Sequence, residues 1–247
     1  MTELFGSTRA HIGNRHALIT PANHVNGSVP GITGATAIVL INGAMGAGFA
    51  QTLVTFQKGG AITLPVNGTQ AFGYFVNGSA MVTIGSEKQK AGAGYYFYAP
   101  AGQAWSLSSP KPGTQLMLFQ KKYVPLDGIS TPQAIFGDAA TVKGVPFLGD
   151  PAANLQVLLP DDPAFDMAVN IFAYQPGGHL PFVEVHVMEH GLLMLDGQGV
   201  YRLEDSWYPV QTGDVIWMAP YCAQWFVAMG KKPASYLYYK DVNRAAL

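Results

Sequence analysis

The chain has 247 residues, of which 49% are hydrophobic and only 12% are charged, and its formal net charge is −1. A chain this neutral lacks the basic surface of a general nucleic-acid binder, and it is too apolar to be disordered. Its 29 glycines and 17 prolines exclude a long helical bundle and favour short strands joined by turns, as in an all-β barrel or sandwich.

The N-terminal region is expected to be a loop-like leader, and its histidines, His11, His16 and His24, are interpreted as surface or packing residues. The first residues lack the basic-then-apolar order of a signal peptide. The single cysteine, Cys222, permits no internal disulfide. We therefore expect a cytoplasmic protein that binds neither membranes nor nucleic acid.

Residues 35–56 form an apolar stretch that resembles a membrane span in length. Near its middle, Asn42-Gly43 is a strong hairpin-turn signal, and two more glycines, Gly46 and Gly48, follow. The stretch therefore predicts two strands around a turn.

An internal repeat organises the chain. Residues 94–105 parallel residues 214–225 at an offset of 120, with Ala-Pro and Trp at matching positions. Two further pairs of segments keep the same order at nearly the same offset, 74–78 with 193–197 and 115–122 with 236–240. The repeat predicts two β units, residues 1–125 and residues 126–247, each closing into a barrel.

The segment 125–150 is rich in glycine and proline and is interpreted as the connection between the units. Within it, Thr131-Pro132 predicts a short helix that leads to Phe136, because threonine is a good N-cap and proline suits the first helical position.

Three possible metal ligands lie close together in the second unit. Residues two apart in a strand share a side, so Glu184 and His186 point the same way, and His190 keeps the same parity. The valines between them, at 183, 185 and 187, are expected to point outward. A carboxylate with two imidazoles suits Mn²⁺, Fe²⁺ or Zn²⁺. Two nearby acids, Glu189 and Asp214, are interpreted as surface or turn residues.

These spacings resemble those of cupin barrels. In that family His-x-His is followed by Glu and, seven residues later, Gly; here Glu184, His186, His190 and Gly197 keep the spacing with Glu and His exchanged. The second cupin motif is Gly, Pro and a ligand His, and this chain has Gly213, Pro220 and Gln224. The resemblance covers nearly the whole chain and implies a bicupin, two tandem jelly-roll barrels.

The exchanged ligand set is similar to that of the (S)-ureidoglycine aminohydrolase family, manganese-dependent bicupins of allantoin degradation. Residues 184–202, 205–220 and 236–244 match that family. The resemblance implies an enzyme that replaces the α-amine of ureidoglycine by hydroxyl and releases ammonia. At matched positions, it implies that the Mn²⁺ ligands are Glu184, His186, His190 and Gln224. It also implies that the residues in contact with the substrate are Tyr201, Tyr236 and Lys240.

The repeat indicates which half carries the chemistry. The four implied ligand positions fall in the first unit on residues that are poor metal ligands, Pro65, Asn67, Ala71 and Ala104. The first barrel is therefore expected to be metal-free. Lys122 is taken as the repeat partner of Lys240, which leaves open that Lys240 is an ordinary strand-end lysine. His179 is a candidate for the rim of the pocket.

Two other functions stay open on sequence grounds. Cupins support many reactions, so a metal-dependent oxygenase or isomerase acting on a small carboxylate is one alternative, and a non-catalytic small-molecule binder is another. A small-molecule ligand is expected in every case, and apolar outer barrel faces favour a homo-oligomer.

Overall fold

The structure, a computed structural model, describes residues 8–245. Nearly all regular structure in this range is β-strand, and the helical pieces within it are three single-turn 3-10 helices, Pro21–Asn23, Gly43–Met45 and Ala139–Thr141. No helix among the described residues is long and apolar enough to cross a membrane. The all-β prediction is confirmed.

The strands are numbered in chain order. The first ten are β1 (His11–Ile12), β2 (His16–Ile19), β3 (Ile32–Ile41), β4 (Ala50–Thr63), β5 (Thr69–Asn77), β6 (Ser79–Ile84), β7 (Glu87–Gly92), β8 (Tyr95–Ala99), β9 (Trp105–Ser108) and β10 (Gln115–Lys122). The next ten are β11 (Ile135–Asp138), β12 (Val145–Phe147), β13 (Asp150–Val157), β14 (Met167–Tyr174), β15 (His190–Asp196), β16 (Gln198–Leu203), β17 (Ser206–Gln211), β18 (Val215–Met218), β19 (Gln224–Ala228) and β20 (Ala234–Asp241).

Three sheets build the two barrels. The first barrel is a nine-stranded sheet that contains β3 to β11. The second barrel combines an eight-stranded sheet, ordered β1-β2-β18-β15-β20-β14-β13-β12, with a three-stranded sheet, ordered β17-β16-β19. Strand β6 shows the underlying pattern, because Ala80, Val82 and Ile84 are buried while the residues between them are partly exposed.

The apolar stretch at 35–56 forms strand, turn and strand, as predicted. Strand β3 leads into the 3-10 turn Gly43–Met45, and strand β4 follows. The Asn42 side chain accepts a hydrogen bond from the backbone N–H of Ala44 at 2.9 Å, which caps the turn.

The two repeats exchange one strand each. Strand β2 pairs with β18 of the second barrel, whereas β11 pairs with β8 of the first. Strands β2 and β11 occupy equivalent places in the repeat, since 135 − 16 = 119. The sheets therefore do not divide the chain at residue 125: the leader belongs to the second sheet, and the start of the connection belongs to the first.

Two local predictions are corrected by this exchange. The leader is the hairpin β1–β2 rather than a loop, and His16 is buried in it beside the Tyr208 hydroxyl, 2.9 Å from its Nε2. The helix predicted at Thr131-Pro132 was wrong, because that segment has no regular structure and leads directly into β11. From Ile135 onward the backbone pairs with β8, and these inter-strand hydrogen bonds outweigh the weak preference for one helical turn.

The two barrels pack against each other through an aromatic core. The rings of Phe49 and Tyr239 stack with centroids 4.1 Å apart, and Phe119 stacks on Tyr239 at 5.9 Å. Strand β20 divides its side chains between two regions: Leu237 and Tyr239 enter this inter-barrel core, whereas Tyr236 and Tyr238 enter the second barrel. That alternation aims one face of β20 at the interior where the candidate site lies.

Glu189 is buried outside any turn, so its interpretation as a surface or turn residue was wrong. Asp214 is buried too, but it closes the turn between β17 and β18, where its backbone N–H donates to the Gln211 carbonyl at 3.0 Å, so it is a turn residue as predicted. Asp214 accepts hydrogen bonds from the Arg9 guanidinium at 2.8 and 2.9 Å, which fastens the leader to the second barrel. Glu189 accepts from the Trp217 indole N–H at 2.8 Å and from the backbone N–H of Gly48 at 3.0 Å. The residue before His190 is thereby tied to the turn between β3 and β4.

Candidate metal and substrate site

The four implied ligands come from three places at one end of the second barrel. His190 begins β15 and Gln224 begins β19, while Glu184 and His186 lie in the segment between β14 and β15. The backbones of Glu184 and Gln224 exchange two hydrogen bonds of 2.9 and 3.0 Å. This isolated bridge aligns the segment with the open edge of β19.

The segment that carries Glu184 and His186 is not a strand, contrary to the prediction. It is joined to β19 by isolated bridges at His179 and Glu184 and by backbone hydrogen bonds close to the first of these, and it is otherwise irregular until His190. The alternation of its side chains nevertheless holds, because Val183, Val185 and Val187 are exposed while Glu184 and His186 are partly buried. The side of the chain on which each residue lies could thus be predicted, even though the segment does not form the continuous backbone pairing of a regular strand.

Three of these side chains meet within hydrogen-bonding distance. The Nε2 atoms of His186 and His190 are 3.2 Å apart, and Gln224 Nε2 lies 3.1 Å from His186 Nε2. The nearer carboxylate oxygen of Glu184 is 3.9 Å from His186 Nε2. Residues 8–245 contain no group of three His, Cys, Asp or Glu side chains close enough together to hold a metal ion, and the Glu184 carboxylate lies farther from His186 Nε2 than the Gln224 amide does.

The spacing of the imidazoles fits a shared cation. Metal–nitrogen bonds of about 2.1 Å place two neighbouring ligand atoms roughly 3.0 Å apart at a right angle, close to the 3.2 Å between the Nε2 atoms of His186 and His190. Burial, followed by the charges of His186 and Lys240, lowers the pKa of His190 well below its usual value. His190 is therefore neutral near pH 7, the form that binds a metal.

The amide of Gln224 has to turn to serve as an oxygen ligand. Its Nε2 faces His186, while its Oε1 accepts a 3.0 Å hydrogen bond from the Tyr201 hydroxyl. Rotation of the amide by 180° brings Oε1 to the imidazoles and leaves Nε2 to donate to the Tyr201 oxygen. Both orientations keep the amide hydrogen-bonded, because a phenol both donates and accepts.

A cavity of about 160 Å³ opens beside these groups. One part of its wall is polar and contains Glu184, His186, His190, Gln224 and Lys240. The rest of the wall is mainly apolar and includes Phe147, Leu155, Phe172 and Met188. Phe147 and Leu155 escaped the sequence analysis because they belong to the β12–β13 hairpin, whose approach to the site depends on the fold and has no local signal.

The three implied substrate residues have different positions. Lys240 and Tyr236 line the cavity, and Lys240 is paired in the sheet with His190. Tyr201 is 1% exposed and is absent from the cavity wall; it reaches the site through its hydrogen bond to Gln224. The structure thus places Tyr201 behind Gln224, one side chain away from the cavity.

The strand registers also change the repeat partner of Lys240. Lys240 lies opposite His190, and in the first barrel Gln120 lies opposite Ala71, the counterpart of His190. Gln120 is therefore the structural equivalent of Lys240, and the assignment of Lys122 was wrong by two residues. At this position of the repeat, only the second barrel therefore carries a positively charged side chain.

The other first-barrel counterparts of the ligands carry no strong donor for a metal. Pro65, Asn67 and Ala104 are exposed, and Ala71 is buried in the hydrophobic core of the first barrel. His179, the rim candidate, is exposed, tilts against the Trp225 ring at 5.6 Å and does not line the cavity.

Comparison with known proteins agrees with this architecture. A cupin domain matches residues 170–239. The (S)-ureidoglycine aminohydrolase of Arabidopsis thaliana is 38% identical over all of this chain and 82% of its own length. The enzyme of the same name from Escherichia coli is 32% identical over 92% of this chain and 88% of its own.

The fold is also shared with a crystal structure. The protein YlbA from E. coli superposes with a TM-score of 0.88 at 30% identity, covering 98% of this chain and 97% of that one. Similarity over the full chain at these identities, together with the two tandem barrels of the fold, settles the classification. The chain belongs to the (S)-ureidoglycine aminohydrolase family.

Proposed function

We propose that the protein is a manganese-dependent (S)-ureidoglycine aminohydrolase of allantoin degradation. Water supplies a hydroxyl to the α-carbon, the C–N bond to the amine breaks, and the products are (S)-ureidoglycolate and ammonia. The observation that carries the proposal is the meeting of His186, His190, Gln224 and Glu184 in one cavity with Lys240. The names of the full-length relatives from Arabidopsis and E. coli support the substrate.

Mn²⁺ would be held by Glu184, His186, His190 and Gln224. When bound, it supplies a Lewis acid that orients substrate groups and lowers the pKa of water. A mixture of carboxylate, amide oxygen and imidazole donors suits this cation. The polar side chains of the cavity wall determine the orientation in which a substrate binds.

Lys240 is well placed to bind the substrate carboxylate. Its side chain lines the cavity next to His190, and among the described residues no carboxylate forms an ion pair with it. Phe147, Phe172 and Met188 line the same cavity, and the less water such apolar surroundings admit, the stronger the attraction between opposite charges becomes. The substrate is thereby fixed with its α-carbon toward the imidazoles.

The direct test is ammonia release from freshly prepared ureidoglycine by the purified protein, with and without added Mn²⁺. We expect stereospecific formation of (S)-ureidoglycolate and a strong dependence on the metal. Turnover of ureidoglycine no faster than its spontaneous decay, by protein loaded with Mn²⁺, would refute the proposal. Oxygen consumption with a small carboxylate would instead indicate an oxygenase.

Replacing Lys240 by glutamine should lower kcat/KM for ureidoglycine about 10- to 100-fold, mainly through a higher KM. The reason is the loss of one charge-assisted hydrogen bond to the carboxylate. Steady-state ammonia release measures the effect. The matched control is Lys122→Gln, which removes an exposed charge on the equivalent strand of the first barrel and should leave both constants unchanged. Equal effects of the two variants would contradict the role of Lys240.

We also propose that the protein is a homo-oligomer. The exposed side chains of Phe182, Val183, Val185 and Val187 form an apolar strip beside the cavity mouth, which supports association. Light scattering after gel filtration measures the mass, and a monomer across the micromolar range would contradict the proposal.

A further inference from the structure

Two tyrosine hydroxyls meet inside the second barrel. Tyr174, at the end of β14, and Tyr236, on β20, have hydroxyl oxygens 3.1 Å apart. Tyr236 lines the cavity, whereas Tyr174 is completely buried and does not reach the cavity wall. The pair therefore links a residue that can touch a substrate to one that cannot.

Tyr174 has one polar partner among the described residues. Its ring is enclosed by aromatic neighbours, with the Phe172 ring at 5.2 Å and the Phe226 ring at 5.0 Å between centroids. Its only hydrogen bond in this part of the chain is the one to Tyr236. Aromatic rings offer no strong acceptor, so the Tyr174 proton has a single good destination.

The two hydroxyls hold two protons for one mutual hydrogen bond. Burial raises the pKa of both tyrosines far above neutrality, so both stay protonated. If Tyr236 donated to Tyr174, the Tyr174 proton would be buried without an acceptor, which is unfavourable. If Tyr174 donates to Tyr236, the remaining proton belongs to Tyr236, whose side chain lines the cavity. A ligand in the cavity can then accept that proton in competition with the neighbouring Tyr201 hydroxyl, which gives its own proton to Gln224.

We propose that Tyr174 is a positioning residue: it donates its hydroxyl proton to Tyr236 and thereby holds the Tyr236 O–H toward the cavity as a hydrogen-bond donor. This inference rests on the proposed function for the identity of the substrate. Tyr236 then recognises a substrate oxygen, in a carboxylate or a ureido carbonyl. It does not accept an N–H and does not act as the base that removes a proton.

A double-mutant cycle tests the proposal in the manganese-loaded protein. The four proteins are wild type, Tyr174→Phe, Tyr236→Phe and the variant with both changes. We expect Tyr174→Phe to raise the KM for ureidoglycine and the Kd for ureidoglycolate about 5- to 10-fold, as expected for one weakened hydrogen bond. In the Tyr236→Phe background the same change should have no effect, because Tyr174 acts only through Tyr236.

Tyr239→Phe is the matched control. Tyr239 is also buried, on the same strand, but its hydroxyl has no partner within the described residues and faces the inter-barrel core. This variant should leave KM and Kd unchanged. If Tyr174→Phe changed neither constant, or changed them by the same factor with and without the Tyr236 hydroxyl, the proposal would be overturned and the role of Tyr174 would be packing.

The measurements also separate the inference from the proposed function. A wild-type protein that binds ureidoglycolate but releases no ammonia would refute the proposed aminohydrolase activity. The double-mutant cycle, measured through the Kd for ureidoglycolate, would still decide the role of Tyr174. Absence of both binding and turnover would overturn both proposals.

Discussion

Replacing His186 by alanine should abolish manganese binding and lower ammonia release about 1,000-fold or more. His186 Nε2 lies close to each of the other three groups: it is 3.2 Å from His190 Nε2, 3.1 Å from the Gln224 amide nitrogen and 3.9 Å from the Glu184 carboxylate. Its loss removes the donor around which the other three gather. A catalytic metal contributes several kcal/mol, and each 1.4 kcal/mol corresponds to a factor of ten in rate.

Metal content by mass spectrometry and ammonia release, measured on the same preparations, check this result. The control is Asn67→Ala, the repeat counterpart of His186, which is exposed in the first barrel and should leave both quantities unchanged. A His186→Ala protein that keeps a full equivalent of Mn²⁺, or that works without it, would contradict the assigned centre.

Leu18→Ala should lower the free energy of unfolding by about 3 kcal/mol, because it opens a cavity in a packed core. Leu18 belongs to the leader, yet it is fully buried among side chains of the second barrel and lies opposite Ile216 in the sheet. Unfolding in urea, followed by circular dichroism, measures the change.

Ile12→Ala is the control for the Leu18 variant. Ile12 lies in the same hairpin but is 62% exposed, so its truncation should change the free energy of unfolding by less than about 0.5 kcal/mol. A Leu18 variant as stable as the Ile12 variant would mean that the leader contributes little to the second barrel in solution.

Much of the site could be predicted because its information is local. The even spacing of Glu184 and His186 places both on one side of an extended chain, whether or not that chain is a regular strand. The spacing of Gly213, Pro220 and Gln224 singled out Gln224, which begins β19, and its backbone bridge to Glu184 brings the two residues together. Local alternation and motif spacing thus located these residues although the predicted strand is absent.

Other features depend on contacts between distant parts of the chain and left no local signal. The burial of Glu189 depends on Gly48 and Trp217, which approach it from a different barrel and a different strand. The pairing of β2 with β18 could not be predicted from a four-residue strand, His16–Ile19, whose three apolar residues suit any sheet edge. Tyr201 matched a family position, but only the three-dimensional path of β16 places it behind Gln224.

The exchanged strands also order events during synthesis on the ribosome. The first sheet has all its strands once residue 138 has emerged, whereas β2 must wait for β18, about 200 residues later in the chain. Until then the buried side of the leader, including Ala17 and Leu18, has no partner and is exposed to misassembly. The nascent chain therefore carries an apolar hairpin unprotected through most of translation, a period in which chaperone binding to that hairpin would have its greatest effect.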